Sequence, residues 1–353
     1  MYQLIRNLLF RMPPETAHDL TLRLLALSQK FGISQMISSQ PTPQPTQLMG
    51  LTFPNPVGLA AGLDKNGHCI AGLASLGFGF LELGTVTPKP QPGNPQPRLF
   101  RLPEEQAIIN RMGFNNAGVE ALLGNYLQFK TTLASEGNLI YQCPVGINVG
   151  KNLSTSVEDA HRDYARCIRL VYPHADYITA NVSSPNTPGL RNLQFGDAMK
   201  FLLNVIKETQ LQMSEVHNRY VPIAVKIAPD MEEKEIRFVA ETLKSFSVDA
   251  VIATNTTIDR SVISGHPLAH EQGGLSGAPL RERSTAVVKA MCSELGDSMP
   301  IIAAGGIHSG QDAVEKIKAG AKLVQIYTGF IYQGPALIKE AADAILRYRL
   351  ESK

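Results

Sequence analysis

The stretch VPIAVKIAPDMEEKEIRFVAETLKSFSVDAVIATNTT (residues 221–257) contains a complete strand–helix–strand unit. Two short runs rich in Val, Ile and Ala, Ile223–Ile227 and Ala250–Thr254, flank an amphipathic stretch at Glu233–Phe246. Strands that are apolar at almost every position are typical of parallel sheets with both faces covered. The unit therefore predicts parallel strands that are connected by helices.

The same alternation continues on both sides of this stretch, from residue 47 to the C-terminal end. Further strands are predicted at Val57–Ala61, Phe78–Thr85, Val145–Val149, Tyr177–Val182, Ile301–Ala304 and Leu323–Tyr327. Further helices are predicted at His161–Val171, Ala198–Val216, Arg283–Leu295, Gln311–Ala319 and Ala336–Tyr348. Eight strands separated by helices favour an α/β fold of the (β/α)8, or TIM barrel, type. A doubly wound open sheet is the alternative, but no GxGxxG motif follows the first strand.

The N-terminal segment predicts a small helical domain in front of the barrel. Residues 1–31 have helical periodicity on both sides of Pro13-Pro14. The apolar positions are Leu4, Ile5, Leu8, Leu9 and Met12 in the first helix and Ala17, Leu20, Leu24, Leu27 and Phe31 in the second, with Leu22 and Leu25 away from that stripe. Such helices either pack on the main domain or lie on a membrane surface. Composition alone favours packing.

Three prolines at alternate positions in SSQPTPQPT (38–46) predict an extended linker. We therefore expect an N-terminal helical domain at 1–37, a Pro-rich linker at 38–46 and a barrel domain at 47–353.

Composition and charge exclude several classes of protein. A hydrophobic fraction of 44% is enough for a large core, and a formal net charge of +2 provides no general affinity for nucleic acid. The cysteines form no CxxC pair and are expected to be reduced; they are Cys69, Cys143, Cys167 and Cys292. No apolar run reaches the ~18–20 residues that cross a bilayer, and the interrupted N-terminal helix is unlike a signal peptide.

Polar side chains follow the predicted strands, at the end of a barrel where reactive groups project. Most are neutral hydrogen-bonding groups, and the cations are lysines; the set includes Lys65, Thr85, Asn148, Asn181, Ser183, Ser184, Lys226, Thr254, Asn255, Thr256, Tyr327 and Thr328. No cluster of His, Asp and Glu has metal-ligand spacing, so we expect no metal site.

Two glycine-containing turns follow the last two predicted strands. Gly305-Gly306 and Thr328-Gly329 lie where loops seven and eight of such barrels often present backbone N–H groups to a phosphate. Each pair alone is explained as well by a tight strand-to-helix turn. Their occurrence together favours a phosphate site, to which Gly277 in the GGLSG segment (273–277) adds a weak signal.

Lys226 lies inside an apolar strand, where an unpaired ammonium is costly. It either extends to the barrel mouth or stabilises negative charge on a bound cofactor, and the absence of an obvious carboxylate among the neighbouring strand ends favours the second interpretation. Ser184 lies in a Pro-rich loop without a Gly-x-Ser-x-Gly elbow, so by itself it is most simply a turn residue.

Ten ordered motifs together resemble the dihydroorotate dehydrogenase family. They are AAGLDKNG (60–67), ELGTVTPKPQPGNPQPRLFRL (82–102), INRMGFNN (109–116), GINVGKN (146–152), NVSSPNTPGLR (181–191), VKIAPD (225–230), ATNTT (253–257), GGLSG (273–277), GGI (305–307) and LVQIYTGF (323–330). The leading PETAHDL segment (14–20) resembles the class 2, quinone-linked branch. Residues 124–143 are longer than is usual in the family, and Thr328 stands where some relatives have serine.

The resemblance implies one FMN per chain and a site for dihydroorotate or orotate. The cofactor positions are Ala61, Gly62, Lys65, Thr85, Asn148, Asn181, Lys226, Thr254, Gly277, Gly306, Tyr327 and Thr328. The substrate positions are Lys65, Asn110, Arg111, Met112, Gly113, Phe114, Asn181, Asn186, Asn255 and Thr256. Those at the inner end of the quinone path are His18, Arg101 and Tyr327.

The resemblance also implies a mechanism and a location. Ser184 is the expected base, which takes the C5 proton of dihydroorotate while the flavin accepts the C6 hydride, and a membrane quinone then reoxidises the flavin. Class 1 relatives have cysteine in place of this serine. We expect a monomer that acts in UMP biosynthesis, attached peripherally to the cytoplasmic face of the inner membrane. The alternatives are a soluble flavin enzyme that uses fumarate or NAD, and a membrane-surface protein without activity.

Overall fold

Thirteen strands are found in a computed structural model that describes residues 2–30, 39–136 and 143–352. In chain order they are β1 (Thr46–Leu48), β2 (Leu51–Phe53), β3 (Val57–Leu59), β4 (Phe80–Val86), β5 (Leu99–Leu102), β6 (Ala107–Asn110), β7 (Val145–Val149), β8 (Tyr177–Asn181), β9 (Ile223–Ile227), β10 (Ala250–Ala253), β11 (Gly274–Gly277), β12 (Ile301–Ala304) and β13 (Leu323–Ile326). Strands β3, β4, β7, β8, β9, β10, β12 and β13 close a parallel barrel in that order. The predicted barrel is confirmed, and its strand ends differ from the prediction by two residues or fewer.

The described helices are α1 (Tyr2–Leu9), α2 (Pro14–Lys30), α3 (Ile70–Ala74), α4 (Val119–Glu136), α5 (Ala160–Val171), α6 (Gly196–His217), α7 (Glu233–Ser245), α8 (Arg281–Leu295), α9 (Gly310–Lys318), α10 (Thr328–Gln333) and α11 (Ala336–Glu351). Along α5, Ala160, Tyr164, Ile168 and Val171 are buried, and this spacing of three or four residues places them on one face. The barrel helices thus cover the outer surface of the strands with an apolar stripe.

A hairpin of β1 and β2 closes the amino-terminal end of the barrel. Phe53 is fully buried, with its ring centre 5.2 Å from that of Phe80, the first residue of β4. The preceding Pro-rich segment is attached to α11, because Gln44 Nε2 donates to the carbonyl of Ala342 at 2.5 Å. The segment predicted as a linker therefore ends in a strand at Thr46, and residue 38 lies outside the described residues.

An antiparallel sheet of β5, β6 and β11 forms a separate layer next to the carboxyl ends of the barrel strands. It has its own small core of Leu102, Ala107, Ile109, Ile263 and Leu275. None of its strands was predicted. They are four residues long and add polar loops to the part of the barrel that carries the site.

The front helices do not pack as the apolar pattern suggests. Polar groups attach α1 to α10, since Tyr2 Oη donates to the carbonyl of Ile331 at 2.7 Å and Arg6 to that of Tyr332 at 3.1 Å. Leu4 and Leu8 of α1 are 75% and 65% exposed. The expectation that the apolar face of α1 packs on the barrel is therefore wrong.

Helix α2 packs with a side that was not predicted. Leu22 and Leu25 pack against the barrel core, whereas Leu24 and Leu27 of the predicted stripe are exposed. Phe31 and the rest of 31–37 lie outside the described residues, as do 137–142 of the long segment 124–143. In the described part of the chain, no helix has the length and apolar character needed to cross a membrane.

Candidate active site

A cavity of about 1210 Å³, including the part open to solvent, lies at the carboxyl ends of the barrel strands and extends to α2. Its wall contains most of the predicted cofactor residues: Ala61, Gly62, Lys65, Thr85, Asn181, Lys226, Thr254, Gly277, Gly306, Tyr327 and Thr328. It also contains Ser184 and most of the predicted substrate residues: Asn110, Met112, Gly113, Phe114, Asn186, Asn255 and Thr256. Three predicted residues, Arg101, Arg111 and Asn148, lie outside this wall.

Asn148 lies beneath the cavity wall and is fully buried. Its side chain accepts a hydrogen bond from Thr85 Oγ1 at 2.5 Å and donates one to Glu82 at 2.7 Å. Thr85 in turn accepts from Asn181 Nδ2 at 3.0 Å. Asn148 therefore holds two wall residues in place and does not itself face the cavity.

Lys226 projects into the barrel interior and is 5% exposed. Burial lowers the pKa of its ammonium group, and the charge of Glu82 opposes that shift. The prediction that Lys226 has no carboxylate nearby is thus wrong, because Glu82 projects into the same interior from β4. Every residue of β4 is buried, so no periodic pattern revealed which of its side chains point inward.

Ser184 lines the cavity and is 6% exposed. Its Oγ accepts a hydrogen bond from the backbone N–H of Asn186 at 3.2 Å, which leaves the hydroxyl proton available to the cavity. Three residues after Ser184, the hydroxyl of Thr187 is buried without a hydrogen-bond partner among the described residues. The loop therefore presents a serine hydroxyl to a ligand, with a second hydroxyl close by in the chain.

Amide side chains are paired in the wall next to this loop. Asn186 Nδ2 donates to Asn110 Oδ1 at 3.1 Å, and Asn255 Nδ2 donates to Ser183 Oγ at 3.0 Å. Thr256 Oγ1 also lines the cavity and has no partner in the described structure. This arrangement offers both donors and acceptors to a planar polar ligand.

Lys65 supplies a cation at the side of the cavity near α2. Burial and the neighbouring Arg98 lower the pKa of Lys65 to about 8, and Glu15 and Asp19 oppose the shift. Arg98 makes a two-point ion pair with Glu15, with N–O distances of 2.8 and 3.1 Å, which joins α2 to the residue that precedes β5. Arg111 is directed elsewhere: it pairs with Glu271 at 2.5 Å.

The glycines after β12 and β13 are required by the packing of the chain. At Gly306 (φ +73°) a Cβ atom would lie 2.3 Å from the Cα of Arg281, and at Gly329 one would lie 1.9 Å from the carbonyl oxygen of Ile307. Tight packing thus accounts for glycine at both positions. Both residues also line the cavity, so their backbone remains available to a phosphate.

Two wall residues that were predicted for the quinone path, His18 and Tyr327, are uncharged. Burial lowers the pKa of His18 to about 4 and raises that of Tyr327 to about 12, so both side chains are neutral near pH 7. Arg101 does not reach this wall; it donates to the carbonyl of Met12 at 3.0 Å and lies over the ring of Phe10. It stabilises the turn between the front helices.

Several wall residues were missed by the sequence analysis, among them Glu15, Leu99, Ile108, Ser276 and Gln325. Leu99, Ile108 and Ser276 belong to the unpredicted sheet of β5, β6 and β11. Gln325 lies in a strand that was predicted, but a glutamine in an apolar strand was not read as an inward-facing group. The conspicuous sequence signal was this single amide between Val324 and Ile326.

Comparisons with known proteins agree over nearly the whole chain. The sequence profile of the family described as dihydroorotate dehydrogenase matches residues 44–348. Proteins named dihydroorotate dehydrogenase (quinone) from Marinobacter nauticus and Azotobacter vinelandii are 60% and 56% identical, covering 98% and 99% of this chain and 98% of each relative. A crystal structure of DHODH from Eimeria tenella in complex with ferulenol shares 36% identity with a TM-score of 0.86, covering 96% of this chain and 92% of its own.

Proposed function

Because this chain belongs to the quinone-linked dihydroorotate dehydrogenase family, we propose specific roles for the residues around its cavity. It oxidises dihydroorotate to orotate with a quinone as electron acceptor, a step of pyrimidine biosynthesis that leads to UMP. The observation that carries the assignment of roles is the cavity itself. It joins most residues predicted for the cofactor to those predicted for the substrate, and it reaches α2.

The cofactor is one FMN per chain, and the cavity fits this group in three respects. The backbone of Gly306 and Gly329 would hold a single phosphate, and the chain has no dinucleotide motif for FAD. Gln325 Oε1 and Thr256 Oγ1 are buried without partners in the described structure, so a polar ligand would satisfy them. Lys226 would face the flavin ring. When bound, FMN accepts a hydride from C6 of dihydroorotate and passes the electrons to the quinone.

The substrate lies between the flavin site and the Ser184 loop. Lys65 binds the carboxylate of dihydroorotate, and the amides of Asn110, Asn186 and Asn255 bind its ring. Ser184 Oγ accepts the C5 proton from the face opposite the flavin. Since serine is a weak base, its own proton must move on, and the partnerless hydroxyl of Thr187 in the same loop can accept it.

The quinone enters from the side of the front helices, past Leu99, Ile108 and the uncharged His18 and Tyr327. The exposed apolar face of α1 lies in the lipid at the cytoplasmic side of the inner membrane, so that the quinone tail need not cross water. The enzyme is attached peripherally as a monomer. The front helices thus serve as the access domain, and the barrel carries out the chemistry.

The proposal is tested by comparing the wild type with Ser184→Ala. Both proteins should release FMN, identified by mass spectrometry, because Ser184 is not assigned to hold the cofactor. Flavin bleaching by dihydroorotate in a stopped-flow instrument should slow by on the order of 10²–10⁴ in the variant, the usual effect of losing a positioned base. Release of FAD would reject the cofactor assignment, and bleaching at the wild-type rate would reject the base.

A further inference from the structure

Glu82 is a carboxylate in the middle of the barrel that the reaction described above does not use. It is fully buried, and it accepts hydrogen bonds from side chains on three strands. Asn148 and Gln325 donate at 2.7 Å, and Tyr177 and Thr179 donate at 3.2 Å. All four partners act as donors, as an ionised carboxylate requires, because it can only accept.

This acceptor determines which way the amides above it point. Since Asn148 must turn its NH2 group towards Glu82, its oxygen faces Thr85 and accepts the threonine proton at 2.5 Å. Thr85 Oγ1 can then only accept from Asn181, at 3.0 Å. Glu82, Asn148, Thr85 and Asn181 thus form a series of hydrogen bonds that leads to the cavity wall. The direction of each bond in the series follows from the charge on Glu82.

Gln325 is oriented in the same way on the other side of the barrel. Its Nε2 donates to Glu82, so its Oε1 is directed away from the carboxylate. That oxygen is buried, has no partner among the described residues, and belongs to a side chain in the cavity wall. Glu82 therefore orients Gln325 so that its Oε1 can accept a hydrogen bond from a ligand in the cavity.

Glu82 and Lys226 both lie inside the barrel, and the charge of Glu82 favours the protonated form of Lys226. In the barrel register Lys226 pairs with Asn181, and Thr179, two residues before Asn181 and on the same face, donates to Glu82. The titratable groups that face Glu82 are Tyr177 on β8 and Lys226 on β9. Tyr177 stays neutral because burial and Glu82 raise its pKa well above the usual range, which leaves Lys226 as the compensating charge.

We propose that Glu82 is a positioning residue of the redox reaction: it keeps Lys226 protonated beneath the flavin and sets the direction of the amides in the cavity floor. This inference rests on the proposed FMN site. A protonated Lys226 stabilises the negative charge that the flavin ring gains on reduction, so loss of its proton should make the bound flavin harder to reduce. Glu82 itself touches neither flavin nor substrate.

The test is the pH dependence of the flavin midpoint potential in Glu82→Gln, measured by spectroelectrochemistry. Without the carboxylate the pKa of Lys226 falls further, so the ammonium is present at low pH and is lost as pH rises. At the acidic end of the stable range, the midpoint potential of the variant should equal that of the wild type. As pH rises, the shift to more negative potential that follows loss of the Lys226 proton should begin at a lower pH in the variant. FMN affinity should also fall, roughly tenfold or more, since the floor amides lose their fixed direction.

Tyr177→Phe is the matched control, because it removes one hydrogen bond to Glu82 and leaves the charge in place. Its potential should follow the wild-type pH curve. A Glu82→Gln curve that coincides with the wild type, with unchanged FMN affinity, would overturn the proposal. If the wild type still contains FMN when this result is obtained, the cofactor assignment stands and only the role of Glu82 fails. Failure of the role of Glu82 can therefore be told from failure of the proposed function.

Stability provides a second measurement, whose readout is the melting temperature at saturating FMN and not the reduction of the flavin. Removing either member of a buried charge pair leaves the other uncompensated, whereas removing both does not. We expect Glu82→Gln combined with Lys226→Met to melt at a higher temperature than the less stable single variant. If the double variant is no more stable than that single variant, the two charges are not coupled and the proposal fails.

Discussion

At the scale of single residues, the surroundings of Lys65 bring its pKa close to physiological pH. It lies between a cation, Arg98, and two carboxylates, Glu15 and Asp19, in a wall that is shielded from solvent. Burial and Arg98 favour the neutral amine, and the carboxylates favour the ammonium. The balance places the pKa of Lys65 at about 8, close enough to physiological pH for its charge to be measurable through ligand binding.

Orotate should bind with full affinity below about pH 8 and more weakly above it. The proposed partner of its carboxylate is the Lys65 ammonium, which is lost as pH rises through this pKa. Above this pKa, the dissociation constant of orotate should rise by up to about tenfold per pH unit, as for any ligand whose binding needs one bound proton. A titration that follows the flavin absorbance measures it. Lys65→Met should bind weakly at every pH, and a flat wild-type profile would contradict the role.

At the scale of elements, α1 is held to the barrel by polar groups while its apolar side is exposed. Tyr2 and Arg6 bond to the end of α10, which turns Leu4, Ile5 and Leu8 outward. Burying each leucine in lipid is favourable by roughly 1.5–3 kcal/mol. The sequence pattern is the same for a helix that packs on protein and for one that packs on lipid, so only the anchoring residues decide between them.

Replacing both Leu4 and Leu8 by Glu should abolish sedimentation with vesicles that contain anionic lipid. Turnover with a short, water-soluble quinone should be unchanged, because neither residue lines the cavity. The control is Leu211→Glu with Val216→Glu on α6, which adds the same charge at positions that are 56% and 69% exposed. Equal loss of vesicle binding in both pairs would show a general effect of charge and remove α1 as the membrane contact.

At the scale of the whole molecule, the two half-reactions are assigned to different parts. The flavin and substrate roles all fall on the barrel domain, whereas α2 contributes His18 and Glu15 to the far end of the cavity. The parts are joined by the ion pair of Glu15 with Arg98 and by the bonds of Arg101 to the turn after α1. Leu22 and Leu25 of α2 also pack on the barrel core, so the joint is both polar and apolar, and none of these residues is assigned to the flavin or the substrate.

Deleting residues 1–38 should leave flavin reduction by dihydroorotate near the wild-type rate and slow reoxidation by a long-chain quinone by roughly tenfold or more, as positioning effects typically do. Stopped-flow measurement of each half-reaction separates them. The assay should be run below pH 8. The deletion also removes Glu15, whose carboxylate favours the protonated form of Lys65. Equal loss in both half-reactions would mean that the helices only stabilise the barrel.

The barrel and most of the site could be predicted because their signals are local. Each strand is a short apolar run that is buried on both faces, and the reactive side chains follow the ends of these runs. Ser184 is different: the residues alone indicated a turn, and only the resemblance to the family implied a place at the site; in the structure it lies in the cavity wall. The sequence by itself thus determined the architecture and which end of the barrel carries the cavity.

The tertiary structure decided what depends on partners far apart in the chain. No local period encodes the hydrogen bonds of Glu82 to Asn148 and Gln325. The same holds for the attachment of Arg101 to the turn at Met12 and for the outward direction of Leu4 and Leu8. Inside a closed barrel every strand position is buried, so hydropathy cannot show which side chains meet at the axis. The register between strands that are distant in sequence determines which polar side chains meet inside the barrel. That register exists only once the barrel has closed.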